Sequence, residues 1–247
     1  MNIDLNADLG EGGPHDRDLL TLVSSANISC GAHAGTDDDI ASAIHHALLH
    51  DVAIGAHPSY PDRWNFGRLP LDMTPAALRE TLVRQLLELR QRVNAQGGAL
   101  HHVKPHGALY NQAARDPNLA RTVCEAVESV DGDLFLVGLS GSPFINIARE
   151  RGLRVLEEVF ADRRYTDDGA LLPRSEPGAV LSSQQDMVRQ CLALASGAGV
   201  TSTTGQRLKL RADTVCLHGD HPEALTTARQ LRTILEKNNF SVCRPGH

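Results

Sequence analysis

The chain has 247 residues, 41% of them hydrophobic and 22% charged, with a formal net charge of −6 at pH 7. That length suits one large domain or two small ones, with a core that needs no disulfide staples. The negative balance and 4% aromatic content exclude an electrostatically held nucleic acid or a base-stacking binder, and no apolar run reaches bilayer length.

The first predicted element is a strand over 2–8, Asn2-Ile3-Asp4-Leu5-Asn6-Ala7-Asp8, continuing into Leu9-Gly10-Glu11. Strand side chains alternate, so Asn2, Asp4, Asn6 and Asp8 share one face, and Ile3, Leu5, Ala7 and Leu9 the other. A solvent face of that kind ordinarily mixes in Lys, Thr or Ser. Short carboxylates and amides alone fit the lining of a polar cavity better. Because Met1-Asn2 runs directly into this strand, no signal peptide is expected.

Further strands are predicted at 25–30, 52–57, 100–105, 133–138, 154–159 and 213–218. Helices are predicted at 16–23, 37–50, 75–96, 117–129, 142–151, 183–196 and 222–237. Thr36 caps the second helix ahead of Asp37-Asp38-Asp39. Thr74-Pro75 opens the third, and Gly97-Gly98 ends it. Seven β-then-α units imply a parallel sheet. Central strands of an open sheet read as continuous apolar runs, whereas several of these keep a polar face. The expected architecture is therefore α/β: one domain over 1–247, an irregular (β/α) barrel of about seven parallel strands. Residues 161–182 interrupt the rhythm as an expected lid, and 197–212 as a small hairpin. The five cysteines (Cys30, Cys124, Cys191, Cys216, Cys243) are scattered without CxxC spacing, which points to reduced thiols and a cytoplasmic protein.

Active sites of such barrels gather where strands end, and reactive residue types concentrate there. The first strand delivers Asp8 and Glu11, the second Asn27 and His33, and the third His57. The fourth carries His102, Lys104 and His106 on one face, with His101 and Val103 on the other. Asp162 and Arg163 follow the sixth, and His218 and Asp220 the seventh; Arg68 is a loop cation able to hold a carboxylate or phosphate. Each has a bland explanation alone, but their convergence on successive strand ends marks a site. The Gly138-Leu139-Ser140-Gly141-Ser142 turn lacks the Lys-Ser/Thr of a P-loop and is expected to be a tight turn with Ser as a helix cap.

Several motifs occur in order: Asn6-Ala7-Asp8-Leu9-Gly10-Glu11, Ala26-Asn27-x-x-Cys30-Gly31-x-His33-x-Gly35, Gly55-Ala56-His57-Pro58 and Phe66-Gly67-Arg68. Val103-Lys104-Pro105-His106-Gly107-Ala108-Leu109-Tyr110-Asn111, Glu158-x-Phe160-Ala161-Asp162-Arg163-x-Tyr165 and Cys216-x-His218-Gly219-Asp220 follow. Over nearly the whole chain this series resembles the LamB/YcsF family. The resemblance implies a barrel of the glycoside hydrolase/deacetylase kind. It also implies a role as the A component of a 5-oxoprolinase, opening the lactam of 5-oxo-L-proline to L-glutamate with ATP cleaved to ADP and phosphate. The 5-oxoprolinase subunits B and C are the implied partners.

For that chemistry the candidate catalytic residues are Asp8, Glu11, His57, Lys104 and His106. Lys104 would supply positive charge to the lactam or phosphoryl oxygen, with Arg163 as a second cation. Asp8 or His57 would be the base, with Glu11 orienting it or donating a proton. Asn6, Asn27, His33, Arg68, Asp162, Arg163, His218 and Asp220 are candidate substrate or nucleotide contacts. The expected cofactor is ATP with Mg2+ carried by the nucleotide, so no protein-bound metal is assigned, although Asp8, His57 and His106 could form a carboxylate-His-His site. Two rivals stand beside this reading: a metal-dependent deacetylase or amidohydrolase working without ATP, and a non-catalytic subunit that presents substrate.

Overall fold

Both faces of the first strand, β1 (Asn2–Leu9), turn out to be covered. In the computed structural model, which describes residues 1–217 and 223–246, Ile3, Leu5, Ala7 and Leu9 pack into the hydrophobic core. Asp4 and Asn6 are buried as well, facing inward onto polar partners from other strands.

The strands that follow are β2 (Ser25–Ser29), β3 (Ala53–His57), β4 (Leu100–Val103), β5 (Phe135–Leu139) and β6 (Arg154–Phe160). A two-stranded antiparallel hairpin, β7 (Val200–Thr201) with β8 (Arg207–Leu208), forms in the stretch expected to hold one. β9 (Thr214–Leu217) then pairs in parallel with both β6 and β1. That double pairing closes a ring of seven parallel strands, and β10 (Ser241–Val242) adds an eighth, unpredicted strand beside the start of β1.

The helices are α1 (Asp16–Leu19), α2 (Asp37–Leu49), α3 (Pro75–Ala95), α4 (Gly107–Ala113), α5 (Pro117–Val130), α6 (Pro143–Glu150), α7 (Gln184–Ala195) and α8 (Ala224–Lys237). Thr36 and Asp39 form a reciprocal capping box on α2. Thr74 caps α3 through the Ala77 N–H, with Pro75 in the first turn. On α3, Leu78, Leu82, Leu86, Leu89 and Val93 are buried at helical spacing.

The structure departs from expectation in two places, one helix shortened and one added. The helix predicted at 16–23 stops at Leu19, because Thr21 and Leu22 close tight turns onto Asp18 and Leu19 before β2 begins at Ser25. The short α4 is an addition, starting directly behind the strand-end segment Lys104-Pro105-His106. The stretch 161–182, expected as a lid, folds back on itself and borders the cavity through Leu171, Pro173, Arg174 and Ser175. Arg163 bridges Val180, and Tyr165 bridges Leu171. Gln190 of α7 donates to the carbonyls of Phe160, Ala161 and Arg163, and buried Tyr165 takes the Phe160 N–H on its hydroxyl at 2.8 Å. Among the described residues, no helix is long and apolar enough to cross a membrane.

Candidate active site

Lys104 lies one residue beyond β4, and its N–H continues the ladder by donating to Ala56 O at 2.9 Å. This register sends its side chain into the barrel. There Nζ lies 2.8 Å from Glu158 Oε1 and 2.9 Å from Asp8 Oδ1. Cys216 Sγ at 3.3 Å and Asn6 Oδ1 at 3.4 Å complete its surroundings. Burial opposes the charged form, but Asp8 and Glu158 more than offset it and hold the ammonium well above its usual range. Lys104 is a fixed cation, not a base.

A polar scaffold beneath holds Asp8 in place. Asn27 Nδ2 donates to Asp8 Oδ1 and to Asn6 Oδ1, each at 2.8 Å. Asn6 in turn donates to Glu158 Oε1 at 3.1 Å and to Thr214 Oγ1 at 2.6 Å. His102 Nε2 meets Asn27 Oδ1 at 2.8 Å, so that nitrogen carries the proton. The ring fits because its strand neighbour is Gly55: a Cβ there would lie 2.1 Å from His102 Nε2. One layer lower, Asp4 accepts hydrogen bonds from Ser24, Ser25 and Thr214. Burial nevertheless raises its pKa to about 6.

Three histidines and Glu11 form a second cluster beside Asp8. His57 Nε2 is 3.4 Å from Asp8 Oδ2 and 3.9 Å from Glu11 Oε1. His106 Nδ1 is 3.0 Å from His57 Nε2 and 3.5 Å from Glu11 Oε1. His33 stacks on His106 with ring centroids 3.8 Å apart, its Nε2 2.9 Å from Glu11 Oε1. Burial, reinforced by the neighbouring His57, pushes His33 and His106 down to about 2, so both are neutral. Burial also raises the Glu11 pKa, against the pull of His57.

Both clusters open onto one cavity of about 720 Å³, lined by Asp8, Glu11, His57, Lys104 and His106 together with Arg68, Arg115, Arg163 and Arg174. A wider groove of about 1200 Å³ along α3 and α5 is edged by side chains such as Arg79, Glu80, Arg84 and Glu128, without a comparable buried donor set. Seven of the thirteen candidates therefore share the cavity wall. Asn6, Asn27, His33 and Asp162 do not line it; they are buried behind it, and the first three hold wall residues in position. Asn6 meets Lys104, Asn27 meets Asp8 and His33 meets Glu11, so these three reach the cavity through its wall residues. His218 and Asp220 lie outside the described residues.

Glu158, wholly buried on Lys104, is a site residue that the sequence reading missed. The signal was available: of Glu157 and Glu158 on one strand, alternation must turn one inward. Glu157 takes the outer side and pairs with Arg149 of α6 at 2.6 Å. It also occupies the donors of the glycine-rich turn, Ser140 Oγ and the Gly141 N–H. That segment is a turn, as expected, and its donors face Glu157; Ser142 sits at the cap position of α6 without a side-chain cap bond.

The LamB/YcsF family model matches residues 3–246. The crystal structure of the lactam utilization protein from Thermus thermophilus is 40% identical, with a TM-score of 0.92, covering 98% of this chain and 99% of that one. A putative cellobiose-phosphate cleavage protein from Enterococcus faecalis V583 superposes at TM-score 0.62 with 12% identity, covering 99% and 98%. The catalytic domain of a peptidoglycan N-acetylglucosamine deacetylase from Eubacterium rectale ATCC 33656 superposes at 0.54 with 13% identity, covering 98% and 87%. The last two show a shared barrel fold alone.

Proposed function

The chain belongs to the LamB/YcsF family, and from that premise we propose that it is the A component of an ATP-dependent 5-oxoprolinase. The reaction opens the lactam of 5-oxo-L-proline to L-glutamate, with ADP and phosphate as co-products and subunits B and C as partners. The name of the Thermus relative, a lactam utilization protein, supports the substrate class. One observation carries the chemistry: a buried Lys104 held between two carboxylates, opening onto a cavity with four arginines on its wall.

A lactam is a resonance-stabilised amide and a poor electrophile. Transfer of the γ-phosphoryl group from ATP to the lactam oxygen gives an activated imidate. Water then adds to that carbon, cleavage of the C–N bond releases the amine and leaves the acyl phosphate of glutamate, and a second water hydrolyses that acyl phosphate to glutamate and phosphate. Lys104 stabilises negative charge growing on the lactam or phosphoryl oxygen, and Arg163 serves as a second cation. Asp8 is the base for water. Its rival His57 has both ring nitrogens engaged, Nδ1 on Lys104 O at 2.7 Å and Nε2 facing His106. Arg68 anchors the substrate carboxylate.

A coupled assay for ADP and glutamate tests the reading, run on this chain alone and with its candidate partners. Lactam-dependent formation of both products in equal amounts is the expected result. A rival, the ATP-independent amidohydrolase, draws on the histidine cluster, and chelator-sensitive hydrolysis without ATP would establish it instead.

A further inference from the structure

The outer nitrogens of two cavity histidines are anchored on backbone carbonyls. His57 Nδ1 lies 2.7 Å from Lys104 O, and His106 Nε2 lies 2.9 Å from Phe66 O. A carbonyl only accepts, so both of these nitrogens carry hydrogen. The remaining nitrogens, His57 Nε2 and His106 Nδ1, face each other across a 3.0 Å gap. That gap closes on a cation in one of two ways: a proton on one of the two nitrogens, or a metal ion bound by both.

The surroundings decide between these. Glu11 Oε1 sits 3.5 Å from His106 Nδ1, 3.9 Å from His57 Nε2 and 2.9 Å from His33 Nε2. One donor atom from each of these four residues falls within 4.8 Å of all the others. Donors held about 2.0–2.1 Å from one ion are separated by about 3.0–3.4 Å in octahedral or tetrahedral arrangement, and these spacings bracket that range. Every ring is also held from behind, as metal-binding imidazoles usually are: His57 and His106 by carbonyls, and His33 by Ser59 Oγ at 2.9 Å. Gly67, at φ +61, presses on the pair, and a Cβ there would meet His33 Cβ at 3.0 Å and His106 Cδ2 at 3.1 Å. A proton shared by two rings needs no carboxylate facing both of them.

We infer that Glu11, His57 and His106 form a site for one first-row divalent transition metal ion of the zinc class, with His33 stacked on His106 and holding Glu11 from the side. Two imidazoles and one carboxylate suit such an ion, whereas Mg2+ takes oxygen ligands. The site is thus distinct from any ion carried by a nucleotide. Asp8 lies beside the set, its Oδ1 held by Lys104 and Asn27. The ion's relevance to turnover rests on the proposed function above, but its presence does not.

The test uses the intact chain, stripped with a chelator and titrated with Co2+ and then Zn2+ in millimolar Mg2+. One equivalent of Co2+ should bind with visible d–d absorption and be displaced by Zn2+, with one zinc per chain by elemental analysis. Glu11→Gln and His106→Ala should abolish stoichiometric uptake. Ser59→Ala, which loosens His33 from behind, should weaken it by about 10- to 100-fold. Wild-type protein that takes up neither ion overturns the inference and leaves a proton in the gap. Binding that persists unchanged in both ligand variants overturns it equally. Stoichiometric metal without lactam turnover, even with the candidate partners and ATP present, would sustain this site and remove the proposed activity. Full ATP-coupled turnover in a chain that binds no metal would do the reverse.

Discussion

Lys104 and Asp8 meet at 2.9 Å inside the barrel, one from just beyond the fourth strand and the other from near the end of the first. Neither strand pairs with the other, so this contact exists only because the ring closes. It brings the amino-terminal acidic ladder and the histidine/lysine segment to one cavity.

Replacing Lys104 with Met should lower turnover by about two to three orders of magnitude, the usual effect of removing a preorganised charge stabiliser. It also leaves Asp8 and Glu158 buried without their shared cation, so unfolding free energy should fall by about 3–5 kcal/mol. Steady-state kinetics and denaturant unfolding measure the two effects. A folded variant with undiminished turnover contradicts the role given to Lys104.

Asp8→Asn keeps the size of the side chain and its place above Asn27 but removes the base. Turnover should fall by about 10²- to 10⁴-fold if proton transfer limits the rate. Unchanged activity would leave water activation to another group.

Arg68→Ala should raise KM for the lactam by about 10- to 100-fold with little change in kcat, as loss of a charged hydrogen bond to a non-reacting carboxylate requires. A fall in kcat at constant KM would move Arg68 from anchoring to the reaction itself.

Asp4 titrates at about 6 in the folded chain, against 3.8 without burial. Its protonation therefore stabilises the fold fully below about pH 4, and that contribution is lost as pH rises through 6. Between pH 4 and pH 7, wild type should lose about 2–3 kcal/mol relative to Asp4→Asn. Parallel denaturant curves that keep a constant gap between the two proteins would contradict the assignment.

Much of this architecture is legible in the sequence because parity governs strands. Alternation in 2–8 puts Asp4, Asn6 and Asp8 on one face, and alternation in 100–106 puts His102, Lys104 and His106 on one face. The barrel uses both. What parity cannot supply is depth along the barrel axis. Asn6, Asn27 and Asp8 all sit on inward faces, yet only Asp8 reaches the cavity; the other two sit lower and spend their amides on one another and on Glu158. Helix starts with a chemical signal, such as Thr36 or Thr74, fall within a residue of their expected places. The end of α1 does not, because tight turns over Asp18–Leu22 continue its hydrophobic pattern without continuing the helix.

Lys104 must face the reacting lactam for this chemistry to hold, and a crystal of the chain soaked with 5-oxo-L-proline tests that directly. The lactam carbonyl oxygen should lie within hydrogen-bonding distance of Lys104 Nζ, with the substrate carboxylate on Arg68. A lactam seated away from Lys104, or a cavity left without lactam at saturating concentration, would contradict it.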